Sequence, residues 1–190
     1  MMDSTQAAGG PQALRGGSAG TREGGAGTPA HESETRQRMT ARLRRIVLGA
    51  MVLVLIQSAI GMYVNLYVTI PLKHPGANPP FSNYLGGSTH SLAWALTHGS
   101  GQLVVHAALG LALGVLVIGV AVYAIRLRRW VIAILSVVGG LMVIEAGFKG
   151  MSFLDFQNNS SSIFMALLAF GSLACYAAIL YLLTTRPQSQ

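Results

Sequence analysis

Charge is scarce in this chain. Of its 190 residues six are Asp or Glu and 13 are Lys or Arg, 10% charged against 52% hydrophobic. A soluble domain carries about 25% charged residues, so this composition does not supply an ordinary water-exposed surface. Cysteine is nearly absent. Cys175 stands alone, which excludes an intrachain disulfide and a cysteine metal cluster. No phosphate loop, no metal-ligand spacing and no nucleophile with a base at a matching depth occurs, which leaves hydrolase and transferase chemistry without residues to carry it. The expectation is no metal site, and no catalytic residue is assigned.

What the chain has instead is apolar length. Four stretches, 46–68, 103–125, 130–148 and 163–183, are continuously hydrophobic, and each reaches the roughly 20 residues that a helix needs to cross the hydrocarbon core. No water inside that core can satisfy backbone amides, so each stretch is expected to be a helix. The unbroken rather than alternating pattern excludes barrel strands. The reading is an all-α polytopic membrane protein, a bundle of four transmembrane helices over residues 39–185 with the lipid bilayer as its surroundings.

The net charge of +7 reads as topology. Arg36, Arg38, Arg42, Arg44 and Arg45 precede the first stretch, Arg126, Arg128 and Arg129 fill the second connection, and Arg186 follows the fourth stretch. If all four stretches cross, these positions share one side, and the opposite side holds only Lys73 and Lys149. The positive-inside rule then puts both termini in the cytoplasm, and the arginines are a topology and anionic-lipid signal rather than a nucleic-acid surface. Residues 1–38 are rich in Gly, Ala, Ser, Thr and Gln and are read as a disordered cytoplasmic tail, with 186–190 as a second. The Gly-, Ala- and Arg-rich composition points to a bacterial plasma membrane.

The outer loop, 70–102, opens with Pro71, Pro75, Pro79 and Pro80 and is expected to be extended there. From Thr89 to His98 its pattern suits a short surface helix capped by Ser88 or Thr89, with Trp94 at the headgroup level. His90, Trp94 and His98 would share a face, too far apart for both histidines to hold one metal.

Polar residues gather toward the outer side. Gln57, Gly61 and Asn65 form a stripe on the first helix, His106 lies about one turn into the second, Glu145 and Lys149 make an i, i+4 pair on the third, and Asn158, Asn159 and Ser160 open the fourth. Asn65, Glu145, Lys149 and Asn159 are therefore candidates for a polar cluster around His106. Gly110 and Gly114 follow His106 as a small-xxx-small stripe that suits close helix packing. Two readings of His106 stand side by side: a hydrogen bond across a helix interface, to Asn65 or Glu145, or an axial haem ligand with the glycines clearing room for the porphyrin face.

The second stretch, Gln102-Leu-Val-Val-His106-Ala-Ala-Leu-Gly110-Leu-Ala-Leu-Gly114, resembles the histidine-bearing second helix in one half of the haem A synthase family. Gly61-Met-Tyr-Val-Asn65 and Gly139-Gly140-Leu-Met-Val look like the same half-repeat, so the resemblance spans about residues 45–185. It implies a b-type haem on the outer side, held by His106. The chain departs from the family where a second histidine would open the fourth helix, since Asn159 to Ser162 stand there; Met165, His98 or a partner chain would have to supply the other ligand. It also lacks that family's external cysteine pair and the acid of its first outer loop. Three functions follow as expectations: a haem-associated membrane subunit, a non-enzymatic scaffold or regulatory subunit that pairs with itself or another membrane subunit, or a small transporter component using Asn65, His106, Glu145 and Lys149 as a polar path.

Overall fold

The computed structural model describes residues 29–185, and all of its regular structure is helical. The segment 1–28 and the tail 186–190 lie outside the described residues. Four long helices match the four apolar stretches: α1 (Pro29–Tyr67), α3 (Gly101–Arg126), α4 (Trp130–Phe156) and α5 (Asn159–Thr184). A shorter helix, α2 (Tyr84–His98), follows a single 3-10 turn at Phe81–Asn83.

Local chemistry sets the ends of these helices. Ser100 caps α3 by accepting from the Leu103 amide, and Asn158 caps α5 by accepting from the Ser160 amide, each satisfying a donor that a helix start leaves free. Gln157 ends α4 in the left-handed region (φ 49°), its amide donating to the Phe153 carbonyl. The helix α1 is 39 residues long, about 58 Å at 1.5 Å per residue. It starts at Pro29, inside the segment expected to be disordered, and carries its arginines on a helical extension of the first span.

Each long helix has two long neighbours, in the cyclic order α1, α3, α4, α5. The Gly139-Gly140 pair makes the close packing around α4 possible. A Cβ on Gly139 would lie 3.1 Å from the Cys175 Cβ and 3.2 Å from the Tyr176 ring of α5, and one on Gly140 would lie 3.7 Å from Val117 of α3. Toward the arginine end the core is Leu43, Val47, Val54, Val117, Val120 and Ile179, with Tyr176 fully buried among them. Large apolar side chains such as Leu48, Val115 and Phe170 face outward, the arrangement expected where the surroundings are lipid.

At the other end α2 lies across α3 and α4 as a cap. It starts at Tyr84, five residues before the expected helix, so Ser88 and Thr89 are interior to it and cap nothing. Gly86 and Gly87 lie within the helix, and the proline-rich loop presses against this turn: Pro79 packs directly on Gly87, leaving no room for a side chain there. Gly76, at φ +93°, touches the α2 backbone at Gly87 and Ser91. The loop before α2 is thus folded tightly against the cap helix, with Ala95, Leu103, Leu154 and Ile70 forming a second small core beneath it.

Candidate functional site

Two polar residues of the bundle, Gln57 and His106, meet at the interface of α1 and α3. Gln57 and Gly61, one turn apart on α1, both face α3. The Gln57 amide nitrogen donates to the His106 carbonyl at 2.9 Å and faces the His106 Nε2 at 3.5 Å. The His106 ring lies over Gly61, where a Cβ would come within 2.8 Å of the ring Cε1. One turn further along α3, a Cβ on Gly110 would lie 3.1 Å from the Gln57 nitrogen. Each helix therefore offers a glycine to the polar side chain of the other.

This corrects the expected partner of His106, which is Gln57 rather than Asn65 or Glu145. Two buried atoms of the pair, His106 Nδ1 and Gln57 Oε1, have no hydrogen-bond partner among the described residues. With an amide N–H facing Nε2, the ring proton belongs on Nδ1, so the pair holds one donor and one acceptor in reserve. Beside it, facing outward between α1 and α3, runs a groove of about 420 Å³ lined by Ile60, Tyr63, Gly101, Gln102 and Val105.

The other expected site residues lie elsewhere. Asn65 and Asn159 are exposed. Glu145 and Lys149 pair with each other at 3.6 Å, both partly exposed, and the Lys149 ammonium sits 5.8 Å from the Phe164 ring centre. The Met165 sulfur faces Gly150, at the contact of α4 and α5. His98 is exposed at the end of α2, its Nδ1 2.7 Å from the Thr97 hydroxyl. His106, Met165 and His98 thus line three separate parts of the molecule. Nothing lies within 4 Å of a Cβ built on Gly114, so close packing at this stripe rests on Gly110.

A second polar cluster, which the sequence reading passed over, holds the cap. Asp155, in the last turn of α4, is 2% exposed, and the Ser88 hydroxyl of α2 donates to its Oδ2 at 2.5 Å. The Asn78 amide donates to the Asp155 carbonyl at 3.1 Å, and the Gln157 side chain donates to the Ile70 carbonyl at 2.9 Å. His74 stacks on Trp94, ring centres 4.6 Å apart, with Nε2 3.2 Å from the Leu154 carbonyl and Nδ1 3.2 Å from the Pro75 carbonyl. One sequence signal pointed here: Asp155 and Glu145 are the only acids after Glu34, and an acid at the end of an apolar helix needs a partner. No group of three or more His, Cys, Asp or Glu able to hold a metal occurs among the described residues.

Fold and site together define a class: a multi-pass membrane protein, helical throughout its described regular structure, in which Gln57 and His106 join two helices and a short helix caps one end of the bundle. Compared with protein-family models, with curated proteins and with solved structures, the chain finds no match.

Proposed function

We propose that the chain is a non-enzymatic scaffold or regulatory subunit of a bacterial plasma membrane, with both termini in the cytoplasm and the α2 cap outside. The observation that carries this reading is the reciprocal seating of Gln57 and His106, in which the polar groups inside the membrane are used to join α1 to α3. An interhelical hydrogen bond of this kind contributes about 0.6–2 kcal/mol in a bilayer, an ordinary packing magnitude. The arginines at one end of the bundle support the orientation.

A haem-associated subunit is the second reading, and it rests on the groove beside the pair and on an imidazole whose Nε2 would have to exchange the Gln57 amide for iron. Its remaining ligand would come from outside the α1–α3 interface. One experiment separates the two readings: visible spectra, oxidised and dithionite-reduced, of the purified protein expressed with ample haem, beside His106→Ala. The scaffold reading expects no visible band and a less heat-stable variant. A reduced α-band that the variant lacks would overturn it in favour of haem b.

A further inference from the structure

Asp155 has a chemical problem that the protein does not solve by itself. Its carboxylate is closed off from water, and among the described residues no Lys, Arg or His lies within ion-pair distance of it. One oxygen, Oδ2, takes the Ser88 hydroxyl; the other, Oδ1, is buried with no partner. One turn along α2 from Ser88, the Ser91 hydroxyl is also fully buried with no partner. A buried charge that is neither paired nor fully hydrogen-bonded is strongly unfavourable.

The surroundings are rich in oxygen. The Gly76 carbonyl points toward Gly87, 3.4 Å from where its Cβ would be, and Gly76 itself lies against the Ser91 hydroxyl. The His74 ring nitrogens face the Leu154 and Pro75 carbonyls, at 3.2 Å each, and make no ion pair with the carboxylate. The donors at this contact are carboxylate, hydroxyl and carbonyl oxygens, without sulfur or imidazole nitrogen. That set suits a hard cation. One carboxylate balances one positive charge, which favours a monovalent ion over calcium or magnesium. A proton on Oδ1 would remove the charge but, since Oδ1 and the Ser91 oxygen make no hydrogen bond, it would leave the Ser91 hydroxyl without a partner; a cation bound by both oxygens would satisfy both.

We propose that the contact between α4, α2 and the loop at Gly76 is a sodium site, with Asp155 and Ser91 as ligands, and that the bound ion fastens the cap to the bundle. The proposal concerns the cap alone and is independent of what His106 does.

The test is thermal unfolding of the full-length protein in detergent, titrated with sodium chloride against choline chloride at constant ionic strength. Sodium should raise the midpoint by several degrees and the rise should saturate, as for a ligand bound only to the folded state. Asp155→Asn, which removes the charge and keeps the shape, should abolish the sodium response. Ser91→Ala, which keeps the charge, should shift the half-saturating sodium concentration upward several-fold. Equal midpoints in sodium and choline would overturn the site, as would a sodium response that persists in Asp155→Asn or an unshifted half-saturation in Ser91→Ala. A wild type insensitive to sodium but stabilised by acid in an Asp155-dependent way would assign the positive charge to a proton and equally overturn the metal.

Discussion

The Gln57 side chain of α1 donates to the main-chain carbonyl of His106 on α3, 2.9 Å away, and the glycine one turn from each residue accommodates the other's side chain. Because the bond ends on a carbonyl, it ties the two helix backbones at a fixed rotation whatever the ring does. That property is testable apart from any cofactor.

Gly61→Ala should destabilise the bundle, because its methyl would overlap the His106 ring, 2.8 Å away. The ring cannot retreat without disturbing its contact with Gln57. Overpacking of this kind costs about 1–3 kcal/mol. Gly114→Ala is the control: its Cβ meets nothing within 4 Å, and alanine gains up to about 1 kcal/mol of helix propensity. Thermal unfolding in one detergent should move the two variants in opposite directions.

Gln57→Ala and His106→Ala should not be additive. Because the bond to the His106 carbonyl survives His106→Ala, the double-mutant cycle reports only the contact of the Gln57 amide with the ring and should show a coupling of about 0.5–1 kcal/mol, the low end for residues in contact. Asn65→Ala paired with His106→Ala should show coupling near zero. Coupling at Asn65 and none at Gln57 would contradict this interface.

The Gly76→Ala variant should loosen the cap and leave the bundle intact. Gly76 has φ +93° and lies against the α2 backbone, so a side chain there meets both strain and collision, together about 1–3 kcal/mol or more. The readouts are faster proteolysis within 70–83 and altered Trp94 fluorescence in a Trp130→Phe background, since Trp94 stacks on His74. Unchanged cleavage and emission would show that the loop is not held through Gly76.

For Glu145 and Lys149, removing one partner should cost more than removing both. The pair is partly exposed on the bundle surface, 39% for Lys149 and 51% for Glu145, so its own contribution is about 1 kcal/mol or less. An unpaired acid facing lipid costs about 2.5–3.5 kcal/mol at the helix centre and less toward its end. Folding yields in membranes should therefore rank wild type, then Glu145→Gln with Lys149→Met, then Lys149→Met alone. A polar transport path through these residues would instead make the double variant the most damaging.

Which parts of this were legible in the sequence depends on how far each property reaches. The four spans could be read because apolar length is a local property, and the bilayer requires helices of any such stretch. The ends were less legible. The continuation of α4 from Phe148 to Phe156 and of α2 back to Tyr84 depends on contacts with the loop, which hydropathy does not register. His106 is legible in the sequence as a polar residue inside a span, but its partner depends on helix rotation. Eight residues separate Gln57 from Asn65, which turns Asn65 about 80° round α1 and leaves it exposed. Asp155 becomes a buried carboxylate only once α2 lies across the end of α4.

Read along the chain alone, the residues establish four stretches long and apolar enough to cross a membrane and mark the few polar residues that need partners there. These follow from composition and run length, quantities summed along the chain. Only the tertiary structure decided which polar residues meet, because a helix interface is set by the rotation of two helices that pack over their glycines. The packing also closes a proline-rich loop over Asp155, because the Asn78 amide bonds the Asp155 carbonyl across more than seventy positions of sequence, and no local pattern encodes that.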